Sequence, residues 1–293
     1  MIWQAGRHAV DLSRPRVMGI VNVTPDSFSD GDPALTPARA IATCERLIEE
    51  GADLLDLGGE SSRPGAEPVS AETELARLLP VLRAALTLGC PVSVDTNKPE
   101  VMRVVLDAGA DIVNDIGALR TPGALETVAA HPDCGVCLMH MRGTPRSMQA
   151  EAVYVDVVRE VVAFLREQVE RVTAAGIGAD RVVVDCGIGF AKGAAQNLEL
   201  LSRHVELLAV GRPVLAGWSR KSTLARVIGF GDLPRERRTE RQLAALDAAS
   251  AAAAVLAVQR GASIVRVHEV AATVAALAIH RAASPRLAGS IAS

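Results

Sequence analysis

The sequence predicts an α/β fold, a single-domain (β/α)8 TIM barrel. Short β-rich runs alternate eight times with helix-length amphipathic segments from Arg16 almost to the end, with no Gly/Ser linker or charge block between them. That is the pattern of βαβ units on a parallel sheet. Polar residues gather where each apolar run stops, the place where barrel enzymes collect groups from several strands. The composition agrees: 293 residues, 49% hydrophobic but only 2% aromatic, supply a core of Ala, Val, Leu and Ile suited to a layered aliphatic interior.

Residues 1–15 read as a short segment over the barrel bottom, 16–285 as the barrel and 286–293 as a tail. The first strand, 17–21, runs into Asn22 and a Pro-bearing stretch; the helix at 37–50 follows. Strand 54–57 ends in Gly-Gly-Glu60 and precedes the helix at 71–88; strand 92–94 ends in Asp95 before the helix at 98–108. Strand 112–113 ends in Asn114-Asp115 ahead of a short helix at 123–130, and strand 136–139 ends in His140-Met-Arg142 ahead of the helix at 153–175. Strand 182–184 ends in Asp185 and the glycine-rich run to Lys192, followed by 195–210. Strand 214–216 leads to Ser219-Arg-Lys-Ser222 and a broken helical stretch over 220–259; strand 264–267 ends in His268 before 270–283. Gly51, Gly109 and Gly176 stand just past helical runs, where a left-handed cap belongs.

Several classes are excluded by composition. A net charge of -3 argues against a global nucleic-acid footprint. The N-terminal stretch lacks the zones of a signal peptide and no apolar run reads as long and uncharged enough to span a bilayer, so a cytoplasmic protein with no membrane partner is expected. Five scattered cysteines fit reduced, packed thiols better than a disulfide framework. Cys134 and Cys137 form a CxxC, but it continues into a strand instead of opening a helix, which favours packing over redox or zinc chemistry.

The strand ends offer three kinds of chemistry. Asp95, Asn114 and Asp185 are acceptors for a nitrogen-rich heterocycle with several N–H donors. Arg63, Arg220, Lys221, Arg266 and His268 are cationic donors for phosphate or carboxylate oxygens. Asn22 and Asp30 are oxygen donors that can share magnesium with a diphosphate. Phe28 and Phe190 can cover a flat ring. Each has a plainer reading: Asp95-Thr96 can cap the following helix, Arg63 and Lys192 can be solvated charges, His140 can be a core histidine, the two Phe can pack loops, and Ser219 to Ser222 can merely open a helix.

Four stretches together resemble the dihydropteroate synthases, over nearly the whole chain: Gly19-Ile-Val-Asn-Val-Thr-Pro-Asp-Ser-Phe-Ser-Asp-Gly31, Asp56-Leu-Gly-Gly-Glu-Ser-Ser-Arg-Pro-Gly65, Ser219-Arg-Lys-Ser222 and Arg266-Val-His268. The resemblance implies that Asp95, Asn114, Asp185 and Lys221 bind a pterin. It implies that Asn22, Arg266 and His268 hold its diphosphate, with Asn22 and Asp30 organising Mg2+. Phe28, Ser62, Arg63, Pro64, Phe190, Lys221 and Ser222 would form the p-aminobenzoate subsite. Catalysis would fall to Asn22, Asp30, Arg63, Lys221, Arg266 and His268, and the assembly would be a homodimer.

The chain departs from the family pattern Asp-Pro-Gly-Phe-Gly-Phe-Gly-Lys at Cys186, Ile188 and Ala191, and has Ser62 where Thr is usual. Ala191 in place of Gly stiffens the segment, which bears on turnover more than on pterin binding. A pterin-dependent methyltransferase with a corrinoid partner could share Asp95, Asn114 and Asp185, but has no evident use for the stretches at 26–30, 61–64 and 219–222. A noncatalytic pterin-binding relative is the other alternative.

Overall fold

The computed structural model describes residues 1–24, 36–61, 66–231 and 237–283. A hairpin of β1 (Ile2–Ala5) and β2 (His8–Asp11) precedes eight parallel strands that close on themselves: β3 (Arg16–Asn22), β4 (Leu54–Gly58), β5 (Val92–Asp95), β6 (Ile112–Asp115), β7 (Gly135–Met139), β8 (Val182–Asp185), β9 (Val214–Ala216) and β10 (Ile264–Val267). Closure is made by β10 on β3, with Ile264 opposite Arg16 and Arg266 opposite Met18. The helices outside are α1 (Thr36–Glu49), α2 (Ala71–Ala85), α3 (Pro99–Asp107), α4 (Ala124–Ala129), α5 (Val157–Ala174), α6 (Ala194–Ser202), α7 (Ser222–Val227), α8 (Glu240–Gln259) and α9 (Val270–Ala283).

The predicted strands are all present, and several run further than their apolar residues do, to Asn22, Gly58, Asp95, Asp115 and Asp185. A ladder uses backbone groups only, so it continues where the side chain turns polar. The helices differ more. The stretch predicted over 195–210 divides into α6 and a 3-10 segment, His204–Val210. α5 begins late, at Val157, because Asp156 caps it by accepting from the Arg159 N–H at 3.0 Å. Gly51 and Gly109 take the left-handed conformation expected of caps, with φ of 98° and 102°.

Strand alternation sorts the inner face into two halves. Met18, Leu54, Ile112, Cys137, Val183, Leu215 and Ile264 form one buried cluster near the N-terminal ends. Two residues on, the same face reads Asp56, Asn114, Asp185 and Arg266, so the bottom is dry and the mouth polar. The hairpin closes the dry end. Trp3 is fully buried in that cluster and its indole N–H donates to the Arg181 carbonyl at 2.8 Å. Gly135 permits the approach, since a Cβ there would lie 3.0 Å from the Ala5 Cα.

One helix bears on the expectation that no run is long and apolar enough to span a bilayer. Among the described residues α8 is, by length and composition alone, apolar enough to cross a bilayer, although 33% of its apolar stretch is buried against the rest of the fold. Its apolar residues are alanines together with Leu243, Leu246, Val255, Leu256 and Val258; Leu246, Ala253, Ala254 and Ala257 face the interior, and Thr239 with Gln242 closes its N-terminus in a reciprocal capping box.

Candidate active site

The barrel mouth is organised by Arg266 on β10. Its Nε donates to Asp56 Oδ2 at 2.5 Å and its Nη2 to Asp95 Oδ2 at 2.8 Å. Burial opposes the guanidinium charge, but Asp56 and Asp95 hold it, and the net shift of its pKa is upward. Asp56 also accepts from Asn114 Nδ2 at 3.2 Å, which turns the Asn114 amide oxygen the other way, as an acceptor. Asp95 is pushed up to about 7, first by burial, against the pull of Arg266 and with the added repulsion of Asp56.

Asp185 closes the other side. Its Oδ1 accepts from the Gly187 N–H at 2.7 Å, and burial raises its pKa while that bond and Lys221 work the other way. The Lys221 ammonium lies 4.4 Å from the centre of the Phe190 ring; burial, with Arg266 nearby, pushes it down to about 8. Ser219 Oγ lies 2.9 Å from His268 Nδ1 and accepts the His268 backbone N–H at 3.1 Å, which ties the ends of β9 and β10 together. Asn22 stands at the top of β3 in register with Gly58, itself opposite Asp95. An added Cβ at Gly58 would meet Asn22 Oδ1 and Asp95 Cβ, each at 3.9 Å.

The structure therefore gathers Asn22, Asp95, Asn114, Asp185, Phe190, Lys221, Arg266 and His268 at one end of the barrel, with Ser222 opening α7 beside them. Phe28, Asp30, Ser62, Arg63 and Pro64 lie outside the described residues. One expected cation, Arg220, points elsewhere, and so does Arg142 after the end of β7. Arg220 has φ of 57°, which sends its guanidinium to Asp247 on α8 and to Glu269 and not into the mouth beside Lys221. Arg142 bonds Glu160 and lies 4.0 Å over the Tyr154 ring.

The sequence leaves Lys192 and His140 open between two readings and misses Asp56 as a site residue. Lys192 is buried, not a solvated charge, and burial pushes its amine down to about 7. His140 is a core histidine, edge-on to Phe164 at 4.8 Å, held neutral down to about pH 2 by burial and by Lys192. Asp56 was overlooked as a site residue, although counting in twos along β4 from Leu54 puts it on the inner face. Ile116, Met139, Met141, Met148, Phe190 and Ala191 form an apolar wall beside the polar groups. Cys134 and Cys137 are buried free thiols, the former pushed up to about 12 by burial.

Comparison with known proteins bears directly on this arrangement. A family described as pterin binding enzyme matches residues 18–268. The dihydropteroate synthase of Neisseria meningitidis serogroup C is 46% identical over 279 residues, covering 94% of this chain and 95% of that protein. The chain belongs to the dihydropteroate synthase family. Two solved members of that family superpose closely: the Xanthomonas albilineans enzyme with 4-aminobenzoic acid (TM-score 0.87, 47% identity, 97% of this chain and 99% of that one), and the Burkholderia cenocepacia enzyme complexed with 7,8-dihydropteroate (TM-score 0.84, 46% identity, 96% and 95%).

Against the usual synthase pattern the three changes in the sixth loop are absorbed differently. Cys186 and Ile188 are buried in the main core, apolar in an apolar place. Ala191 instead sits at φ of 53°, a left-handed conformation that costs a residue with a Cβ roughly 1–2 kcal/mol.

Proposed function

We propose that this chain joins the methylene carbon of (7,8-dihydropterin-6-yl)methyl diphosphate to the amine of p-aminobenzoate, giving 7,8-dihydropteroate and pyrophosphate. The observation that carries the reading is the convergence of Asp95, Asn114 and Asp185 with Lys221 and Arg266 inside a barrel mouth walled by Ile116, Met139 and Phe190. A flat heterocycle with several N–H donors matches that set of acceptors, and the apolar wall matches its faces. The ligands of the two solved relatives support the same substrate pair.

In this reading Asp95, Asn114, Asp185 and Lys221 hold the pterin. A ring nitrogen donates electron density as the methylene C–O bond breaks, and the diphosphate takes the bonding pair. The neutral aryl amine then forms the C–N bond and loses its proton to solvent. No strong base is required; alignment and charge stabilisation are the protein's tasks. Arg266, His268 and Asn22 face the leaving diphosphate. By the family resemblance, Phe28, Ser62, Arg63 and Pro64 are assigned with Phe190, Lys221 and Ser222 to p-aminobenzoate binding.

Magnesium is the proposed cofactor, held by Asn22 and Asp30. The Asn22 amide oxygen fits, being a hard, neutral donor beside side-chain-free Gly58, and such an ion takes its remaining oxygens from phosphate and water. When bound it supplies charge neutralisation to the departing diphosphate.

A homodimer is the proposed assembly, by family resemblance; Ala244, Ala248, Ala252 and Leu256 leave an exposed apolar stripe at i, i+4 spacing on α8 that suits a second copy. A cytoplasmic location is proposed with it. Incubation with the pterin diphosphate, magnesium and p-aminobenzoate should release pyrophosphate and dihydropteroate together. Absence of both would sink the reading; pterin binding without turnover would mark a noncatalytic binder.

A further inference from the structure

Lys192 is a buried amine for which no carboxylate stands within ion-pair distance among the described residues. Within hydrogen-bond distance its charge is met by dipoles, with Asp185 acting from further off: Nζ lies 2.8 Å from His140 Nδ1, 2.9 Å from the Phe190 carbonyl, 3.1 Å from the Gly187 carbonyl and 3.3 Å from the His140 carbonyl. Burying a cation without a counter-ion is unfavourable, so a fold that keeps one must arrange its acceptors closely.

The arrangement is built by the loop after β8. Left-handed residues alternate along it, Gly187 at φ of 67°, Gly189 at 82° and Ala191 at 53°, and the carbonyls of Gly187 and Phe190 turn onto the ammonium. The room is tight: a Cβ on Gly187 would stand 2.1 Å from the His140 carbonyl oxygen. Asn197 ties the same loop outward, accepting from Gly189 N–H at 2.9 Å and donating to Thr223 Oγ1 at 2.9 Å. Thr223 is two residues from Lys221, whose ammonium lies over the Phe190 ring.

We propose that Lys192 is a positioning residue for the p-aminobenzoate subsite: its ammonium, bound by the carbonyls of His140, Gly187 and Phe190 and the ring of His140, sets the loop that presents Phe190 to Lys221. The proposal rests on the functional reading above for the identity of that subsite, and on geometry alone for the placement of Phe190. It carries a corollary for His140: because Nδ1 receives the ammonium proton, the ring's own proton is on Nε2.

The test uses the full chain with 4-fluorophenylalanine. Its four Phe give four fluorine resonances, and Phe190→Leu identifies the one that matters. In Lys192→Met the Phe190 resonance should shift or broaden, the affinity for the pterin diphosphate should stay within about threefold, and KM for p-aminobenzoate should rise about tenfold or more. Lys192→Arg, which keeps a cation, should recover part of both effects. A folded Lys192→Met protein with an unmoved Phe190 resonance and an unchanged KM overturns the proposal. If Lys192→Met does not fold, nitrogen-15 spectra of the wild-type chain at about pH 5.5, where Lys192 is charged and His140 neutral, decide instead: an unprotonated His140 Nδ1 supports the ammonium cage, and a protonated one overturns it. An inactive wild-type chain would overturn the functional reading and the p-aminobenzoate clause, whereas the fluorine spectrum would still report whether Lys192 sets Phe190.

Discussion

An Asp56→Asn substitution keeps the shape of a fully buried side chain and removes the charge that Arg266 Nε contacts at 2.5 Å. A hydrogen bond to a charged group contributes about 1.5–3 kcal/mol. Asp95 remains on the guanidinium at 2.8 Å, so the loss should stay near one such bond and below the about 3–5 kcal/mol of a buried pair broken outright. If the loss falls on ligand binding, affinity for the pterin diphosphate drops roughly 10- to 150-fold. A second readout is the pH dependence. Asp95 sits at about 7, chiefly through burial, with Asp56 adding to the rise. Between its ordinary value of 3.8 and about 7 the folded chain holds a proton that the unfolded chain lacks. Its contribution to the stability of the free protein is therefore fully present below the ordinary value and lost as pH rises through about 7. If Asp95 accepts from the pterin as proposed, affinity should run the opposite way, rising with pH as the carboxylate forms. Removing the Asp56 charge should move the binding midpoint to lower pH. Calorimetric titrations between about pH 5.5 and 8.5 would measure both effects. A folded Asp56→Asn protein with wild-type affinity and an unmoved midpoint would refute this account of the wiring.

Other substitutions separate the parts of the site and of the fold. Asp185→Asn should weaken pterin binding about tenfold or more, whereas Arg63→Ala should spare it and raise KM for p-aminobenzoate; equal damage to both substrates would show the partition to be wrong. Trp3→Ala removes the plug of the barrel bottom, at a cost of about 3–5 kcal/mol. A fall in Tm of roughly 10 °C with kcat retained at low temperature is expected by scanning calorimetry, and a large loss of kcat would contradict the separation of dry bottom from wet mouth. Ala248→Arg should convert a dimer to a monomer in analytical ultracentrifugation if the α8 stripe is the interface, and an unchanged sedimentation coefficient would remove that face from consideration.

The barrel was legible because each strand repeats one message: an apolar run, a polar stop and a helical segment, as in Val92 to Asp95 before α3. The residues that the barrel mouth gathers, Asp95, Asn114, Asp185 and Arg266, were legible for the same reason. What failed to show in the sequence depends on single backbone angles. Arg220 and Lys221 are adjacent cations, yet the left-handed angle at Arg220 sends one to α8 and leaves the other over Phe190. Lys192 looks like any lysine after a glycine-rich run until the carbonyls of Gly187 and Phe190 are seen to turn onto it. The length of α8 was not legible either: the sequence reads as a broken helical stretch over 220–259, whereas the helix runs unbroken over Glu240–Gln259, which is what makes it long and apolar enough to pass for a bilayer span by composition.

The charge balance of the mouth gives the proposed magnesium a physical reason. Asp56, Asp95 and Asp185 face Arg266 and Lys221, and both cations are drawn toward carboxylates already present. A diphosphate entering that space adds negative charge to a site with none to spare, and in a water-poor mouth such charges repel strongly. Two responses are available to the chain itself. Asp95, at about 7, can take up a proton, which would cost it an acceptor for the pterin; or the pterin's N–H donors can occupy Asp95 and free Arg266 Nη2 for phosphate oxygen. The second response couples the two halves of one substrate, since the ring must dock on Asp95 before Arg266 can turn to the leaving group. A pterin lacking the diphosphate should then still bind, whereas pyrophosphate alone should bind poorly unless a divalent cation or a pterin accompanies it. Tight magnesium-free binding of pyrophosphate by the free chain would show that Arg266 is not held in this way.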